Sequence, residues 1–231
     1  MNRNMSNKIN YVLDNWIPPS VRDNKILMAI LLRMVVGKKY RHYMEFKRKL
    51  PNLTEKEINQ YYRILADTFI YRETDLNKAC IKRILDETEG SMILDAAAGK
   101  GYMAKKLYTL DNSRQITVSD IVLPEKSYRV NGISYVSASL TDMPFDNNSF
   151  DTVICTHALE HIKDVKAAMD ELRRVCRRKL IIVVPRQREY RYTFDLHINF
   201  YPYKYNVEAL LGRDSIIELL DNDWMCIEYM K

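Results

Sequence analysis

The spacing of apolar positions divides the chain into two regimes. Up to about residue 88 they recur at helical intervals, and from Met92 onward short apolar runs alternate with amphipathic stretches, the order of a strand-and-helix repeat. In the first regime, Trp16-Ile-Pro-Pro-Ser-Val-Arg-Asp reads as an extended or turn segment by its proline pair, and Lys25 to Val36 reads as a helix stopped by Gly37. That helix is apolar nearly all round and too short to span a bilayer, so it is expected to be buried. Thr54-Glu-Lys-Glu57 is a capping box for a helix through Tyr61, Tyr62, Leu65 and Ala66, and a further helix is expected from about Asp75 to Leu85.

In the second regime Met92-Ile-Leu-Asp95 has strand character. Ala-Ala-Ala-Gly99-Lys-Gly101 is a small-residue loop, and Met103, Leu107 and Leu110 then share one helical face. Gln115 to Asp120, Gly132 to Val136, Phe150 to Thr156 and Lys179 to Pro185 are further strands; the last is a continuous apolar run, as a parallel strand covered on both faces requires. Ile162, Val165, Met169, Leu172 and Cys176 stand at intervals of 3, 4, 3 and 4, one stripe on a helix from Ile162 to Lys179 whose Arg173, Arg174, Arg177 and Arg178 form a solvated face. Asn206 to Leu211 reads as a short helix, and Ser215 to Leu220 with Asp223 to Tyr229 as two strands around Asp221-Asn222. The pattern predicts an α/β, doubly wound sheet domain over 89–231 behind an N-terminal helical cap over 1–88.

Strand, turn and helix at 92–107 make a nucleotide-binding geometry, because Gly99 and Gly101 allow positive φ and let a ligand approach the outward-pointing first amides of the helix. Gly99-Lys-Gly101-Tyr-Met-Ala104 satisfies the dinucleotide pattern G-x-G-x-x-[GA], with Asp120 19 residues beyond Gly101, where a ribose-binding acid belongs. Asp95 at the strand end also completes [DE]-x-G-x-G-x-G, with Ala97 in place of the first glycine. Through that motif the chain resembles the class I S-adenosylmethionine-dependent methyltransferases, in particular their small-molecule, type 11-like group. The resemblance implies a Rossmann-like seven-stranded sheet with its last strand antiparallel and S-adenosyl-L-methionine as cofactor. Asp95, Ala97, Gly99 and Gly101 would hold the methionine end and the sulfonium nucleoside, and Asp120 both ribose hydroxyls.

Leu140-Thr-Asp-Met-Pro-Phe-Asp-Asn-Asn-Ser-Phe-Asp-Thr-Val-Ile-Cys-Thr-His-Ala-Leu-Glu-His161 is similar, nearly residue for residue, to x-D-L-P-F-x-D-x-S-F-D-x-V-x-x-x-x-x-L-E-H of the group that includes the quinone- and sugar-modifying enzymes. This places adenine beside Ser139 and Leu140, with Ser139 where the family has an acid, and adds Thr156 to the cofactor contacts. Tyr62-Arg-Ile-Leu-Ala-Asp-Thr-Phe69 looks like the family's Y-D-x-[IL]-A-x-x-[YF] lid segment with Arg63 replacing the acid. Tyr62 is then a lid contact; alternatively Tyr61 and Tyr62 are packing aromatics.

Charge changes the picture mainly at the N-terminus. Residues 1–90 carry 17 Lys+Arg against 11 Asp+Glu and residues 91–231 carry 19 against 19, so the whole net charge of +6 lies in the first part. Lys38, Lys39, Arg41, Lys47, Arg48 and Lys49 are interleaved with Tyr40, His42, Tyr43 and Phe46; the cluster either meets phosphates, on nucleic acid or a phosphorylated acceptor, or is a solvated helix face with its aromatics inward. Cys80, Cys155, Cys176 and Cys226 show no paired spacing and are expected to be buried thiols. Met1 to Asn10 is polar and no apolar run reaches the roughly 20 residues of a membrane span, so a soluble, cytoplasmic protein is expected.

Methyl transfer from a sulfonium is an in-line displacement that needs alignment and, for an oxygen acceptor, removal of a proton. It requires neither metal nor covalent nucleophile, and no motif for either is present in the sequence. His197 is the expected base and His161 its reserve; the alternative for His197 is a structural bond to Asp195 or Asn199. Arg186, Arg188, Tyr190, Arg191 and Tyr201, just past the fifth strand, form the expected acceptor wall. Thr193-Phe-Asp-Leu-His-Ile-Asn-Phe-Tyr looks like the D-x-H-x-N-[FH]-[FY] segment of methyltransferases from bacterial glycan and surface-polysaccharide pathways. That resemblance implies oxygen methylation of a sugar, nucleotide sugar or phosphorylated glycan precursor. Two other readings stand beside it: an RNA- or protein-directed methyltransferase using the basic N-terminal part, and a nicotinamide-dependent oxidoreductase, which lacks a Tyr-x-x-x-Lys in context.

Overall fold

In the computed structural model, residues 11–12, 16–65, 73–192, 196–212 and 214–230 are described. Met1 to Asn10, Ala66 to Phe69 of the lid motif and Thr193 to Asp195 lie outside them. Pro19–Arg22, expected to be extended or a turn, is a single helical turn, and the longer helices are α1 (Lys25–Val36), α2 (Tyr40–Lys49), α3 (Glu55–Leu65), α4 (Lys78–Glu87), α5 (Tyr102–Leu110), α6 (Val165–Val175) and α7 (Lys204–Leu211). The strands are β1 (Met92–Ala96), β2 (Gln115–Asp120), β3 (Ile133–Ser137), β4 (Phe150–Thr156), β5 (Cys176–Pro185), β6 (Ile216–Leu220) and β7 (Asp223–Tyr229). They form one seven-stranded sheet in the order β3-β2-β1-β4-β5-β7-β6. β7 runs antiparallel to both its neighbours, while β1 to β5 pair in parallel. This is the Rossmann-like, doubly wound α/β sheet with the last strand reversed.

Chain contacts divide the molecule into two units, residues 1–72 with 187–200 and residues 73–186 with 201–231. The division falls at 72/73 rather than 88/89 because α4 packs on the sheet: Cys80 and Ile84 share a core with Ile93, Ile116, Ile181 and Ile227. Asn77 fixes that helix by capping it at the Cys80 amide (2.8 Å) and donating to the Leu220 carbonyl (2.8 Å) and to Asp223 (2.9 Å).

In the sheet unit, Leu180, Ile182 and Val184 of β5 join the core under α6, while Ile181 and Val183 join the core under α4 and α5. Two covered faces explain why the strand is apolar without alternation. α6 ends at Val175, four residues before the expected end, because Cys176 already pairs with Phe150 in the sheet. Of the four arginines expected on a solvated face, Arg177 and Arg178 are exposed, whereas Arg173 and Arg174 are half-buried in clasps. Arg173 forks onto Glu228 (2.9 and 3.0 Å), and Arg174 binds Glu171 (2.6 Å) and the carbonyls of Phe145 (2.6 Å) and Met143 (3.0 Å). Arg177 pairs with the buried Asp151. Arg174 thereby satisfies carbonyls that a strand connection leaves without ladder partners, while Arg173 and Arg177 pair with carboxylates of β7 and β4.

In the helical unit, Met28 and Leu32 of α1 meet Tyr43, Phe46, Tyr192 and Leu196 in a small core. Thr54 and Glu57 form the capping box reciprocally, at 2.8 and 3.3 Å. The aromatics of the basic cluster, Tyr43 and Phe46, point inward, and Lys49 pairs with Glu45 at 2.6 Å. α1 itself departs from expectation. Only Met28 and Leu32 are buried, while Ile26, Ile30 and Met34 are 73%, 53% and 70% exposed. The unit offers α1 packing partners along one stripe, so apolar residues elsewhere on the helix stay in contact with water.

Candidate cofactor and active site

Parallel pairing brings the C-terminal ends of β1, β2, β4 and β5 to one edge: Ala96 lies opposite Ser119 and Cys155, and Thr156 opposite Val183. Ligands in open α/β sheets bind at that edge. Between β1 and α5 the backbone takes left-handed φ at Ala97 (50°), Gly99 (54°) and Gly101 (70°). Ala97 thus adopts the conformation that the motif's glycine adopts freely, at a cost of roughly 1 kcal/mol. A Cβ on Gly99 would meet no atom within 4 Å, whereas one on Gly101 would press on Val118 at 3.3 Å. Gly99 leaves open space beside the backbone; Gly101 is required by the close approach of α5 to β2.

Two carboxylates frame this loop. Asp95 is buried and accepts the Ala104 amide of the first turn of α5 at 3.0 Å, so its side chain anchors the helix start. Burial pushes the Asp95 carboxyl up to about 7 against that bond, and Asp120 adds to the rise. Asp120 accepts the Gly99 amide at 2.8 Å and the Val122 amide at 3.0 Å, tying the loop to the end of β2. Burial raises its pKa too, with the amides of Val122, Gly99 and Ile121 opposing. A carboxylate accepts about four hydrogen bonds, so Asp120 keeps acceptor capacity beyond these amides.

Farther along the edge, Ser139 is half-buried, pairs its hydroxyl with Thr141 (2.9 Å) and bridges Asp142. Leu140 is core and Thr156 is half-buried at the end of β4. His161 follows on a single turn, Leu159–His161. Tyr201 is buried, and burial beside Glu160 raises its hydroxyl well above the usual value. Arg186 is exposed and donates to the Pro202 carbonyl at 3.4 Å.

The remaining predicted residues belong to the helical unit. Tyr62 donates its hydroxyl to the Leu196 carbonyl at 3.1 Å. Tyr190 is buried beneath the Arg22 guanidinium, 4.5 Å from the ring centroid, and Arg22 also holds the Glu189 carbonyl at 2.8 Å. Arg188 and Arg191 are exposed. His197 is buried, with Nδ1 against the Gln187 side-chain oxygen; donation there leaves the lone pair on Nε2. Of the expected acceptor wall, Arg186 and Tyr201 fall in the sheet unit and Arg188, Tyr190 and Arg191 in the helical unit.

One polar cluster had not been anticipated. His157, at φ 50°, lies 3.4 Å from Glu160 and 3.5 Å from Asp223. Burial alone would push its imidazole down, but the two carboxylates hold it up at about 10, so this half-buried side chain is an imidazolium at neutral pH. The sequence signal was present: His and Glu stand three apart in an otherwise apolar run, a spacing that a turn closes.

Residues 94–184 match the family model described as a methyltransferase domain. A 2-phytyl-1,4-naphtoquinone methyltransferase of Nostoc punctiforme is 29% identical over 96 residues, 37% of this chain and 42% of that protein. A ubiquinone/menaquinone biosynthesis C-methyltransferase of a Shewanella species is 27% identical over 157 residues, 61% and 58% of the two chains. The chain spans about half the length of these relatives. The solved structure of Burkholderia thailandensis 1,6-didemethyltoxoflavin-N1-methyltransferase, with 1,6-didemethyltoxoflavin and S-adenosylhomocysteine bound, is 14% identical and aligns at a TM-score of 0.57 over 75% of this chain and 86% of its own. At that identity the likeness is one of fold.

Proposed function

We propose that this chain, whose sheet unit belongs to the class I S-adenosylmethionine-dependent methyltransferases, transfers a methyl group from S-adenosylmethionine to a small-molecule acceptor. The β1–α5 loop carries the reading: three left-handed positions between Asp95 and Asp120, with open space at Gly99. Asp120 would accept the ribose hydroxyls, the Gly99 backbone would lie against the ligand, and Asp95 would keep the helix start in place. When bound, the cofactor supplies an electrophilic methyl on a sulfonium. Titration calorimetry tests this: S-adenosylmethionine and S-adenosylhomocysteine bind and NAD does not, and tight NAD binding would remove the class.

The acceptor atom is an oxygen of a hydroxylated, anionic small molecule, a choice supported by the Arg186-to-Tyr201 composition. Proton removal then falls to His197, whose Nδ1 is held by Gln187, or to His161 on the turn after β4. A base contributes about 10²- to 10⁴-fold, so His197→Ala lowers kcat by that factor with cofactor affinity intact. A large loss in His161→Ala instead moves the role there, and small effects in both leave positioning alone. A second reading, a prenylated quinone ring, is supported by the names of the relatives. Radiolabelled methyl transfer offered in parallel to nucleotide sugars and to demethylated naphthoquinones in detergent separates the two.

A further inference from the structure

α1 is 12 residues long, ten of them apolar, and has no acidic side chain. Ile26, Ile30 and Met34 succeed one another at four-residue steps and Leu27 flanks them, so the four line one side of the helix. All four are exposed, Ile26, Ile30 and Met34 by more than half. Solvated helix faces do not ordinarily carry such a stripe, and contiguous exposed apolar surface marks an interaction site. Arg33 lies on the border of the stripe, Lys25 opens the helix and Lys38 follows its end, and all three are exposed. The approach to α1 adds two more exposed apolar groups, Trp16 and Val21.

We propose that this face of α1 docks on an anionic lipid surface. Charge selects the occupant. The helical unit carries 16 Lys+Arg against 8 Asp+Glu, whereas the sheet unit carries 20 against 22. A second copy packed through the same face would bring two units of +8 together, while a bilayer containing acidic phospholipid offers both the hydrocarbon and the opposite charge. At 1.5 Å per residue α1 is about 18 Å long, against a hydrocarbon core of about 30 Å, so it lies in the interface rather than crossing it. Among the described residues no helix is long and apolar enough to cross a membrane. The aliphatic stems of Arg33 and Lys25 extend from the apolar stripe toward the headgroups, and Trp16 is of the residue type that settles at that depth.

Flotation with vesicles tests the proposal without reference to methyl transfer. Wild-type protein floats with vesicles of equal parts phosphatidylcholine and phosphatidylglycerol, weakly with pure phosphatidylcholine, and less as salt rises. Ile26→Ser/Ile30→Ser/Met34→Ser lowers the partition coefficient at least about tenfold, and Arg33→Glu/Lys38→Glu removes the salt dependence. Unchanged circular dichroism shows that the variants are folded. Trp fluorescence gives a reading on the wild type alone: Trp16 is exposed and Trp224 buried, so a blue shift on adding the anionic vesicles reports Trp16 entering the interface. No flotation, no blue shift, or equal flotation of wild type and triple variant would overturn the proposal. So would a wild-type dimer that the triple variant dissociates, since the face would then belong to a second copy.

Discussion

β5 and α1 are the two longest apolar runs of the molecule, and they meet opposite fates. In β5 every residue from Leu180 to Val184 is buried to 1% exposure or less. In α1 only Met28 and Leu32 reach that state. The difference is not one of hydrophobicity. A central strand has a helix layer on each face and a strand on each side, so each position has somewhere to go. A helix in a small unit is covered along the stripe that meets its partners, and the rest of its circumference meets water whatever its composition. An apolar run therefore specifies how much surface could be buried; the number of covering elements decides how much is.

The contrast sharpens into measurements, the largest concerning the cofactor. If the sheet unit alone carries the binding edge, Asp120→Ala weakens S-adenosylmethionine binding about a hundredfold, since two charge-assisted hydrogen bonds contribute roughly 3 kcal/mol. Calorimetry checks this, and an unchanged Kd would detach β2 from the site. Of comparable size are Ile182→Ala in β5 and Leu32→Ala in α1, each expected to cost about 3 kcal/mol in denaturant unfolding because each leaves a cavity in a closed core. A loss much below 1 kcal/mol for Leu32→Ala would mean that the helical unit's core is loose.

Next comes the imidazolium of the sheet unit. His157 is raised from 6.5 to about 10, so the stability it contributes is fully present below about pH 6.5 and is lost as pH rises through 10. His157→Gln should remove about 3 kcal/mol at neutral pH by leaving two buried carboxylates without their cation, and should flatten the alkaline fall. An alkaline limb identical to wild type would refute the assignment. The smallest effect belongs to the exposed stripe: Ile30→Ser should change stability by no more than about 0.5 kcal/mol, and a loss near that of Leu32→Ala would show the stripe to be core after all.

Much of this was legible in the sequence. The Asp95-to-Ala104 loop and the seven strands follow from period, turn chemistry and motif, and the reversed final strand from the family resemblance; the loop and the strands are set by neighbours within a few residues, since glycine takes left-handed φ freely and a strand covered on both faces needs an unbroken apolar run. Even the capping box at Thr54 and the helix stop at Gly37 are local events. What only the tertiary structure decided are the assignments that depend on a distant partner. The arginines of α6 and β5 became fasteners because Glu228 and Asp151 arrive from other strands. Residues 187–200 joined the helical unit because Arg22, Asp23 and Lys47 hold Glu189 to Arg191, and that took His197, Tyr190 and two of the arginines with them. Composition cannot foresee such pairings, since the same side chain is a solvated charge or a buried clasp according to what stands opposite it. α1 is the plainest case: ten apolar residues in twelve made it a helix and made it sticky, and only the count of its packing partners left half of that surface in water.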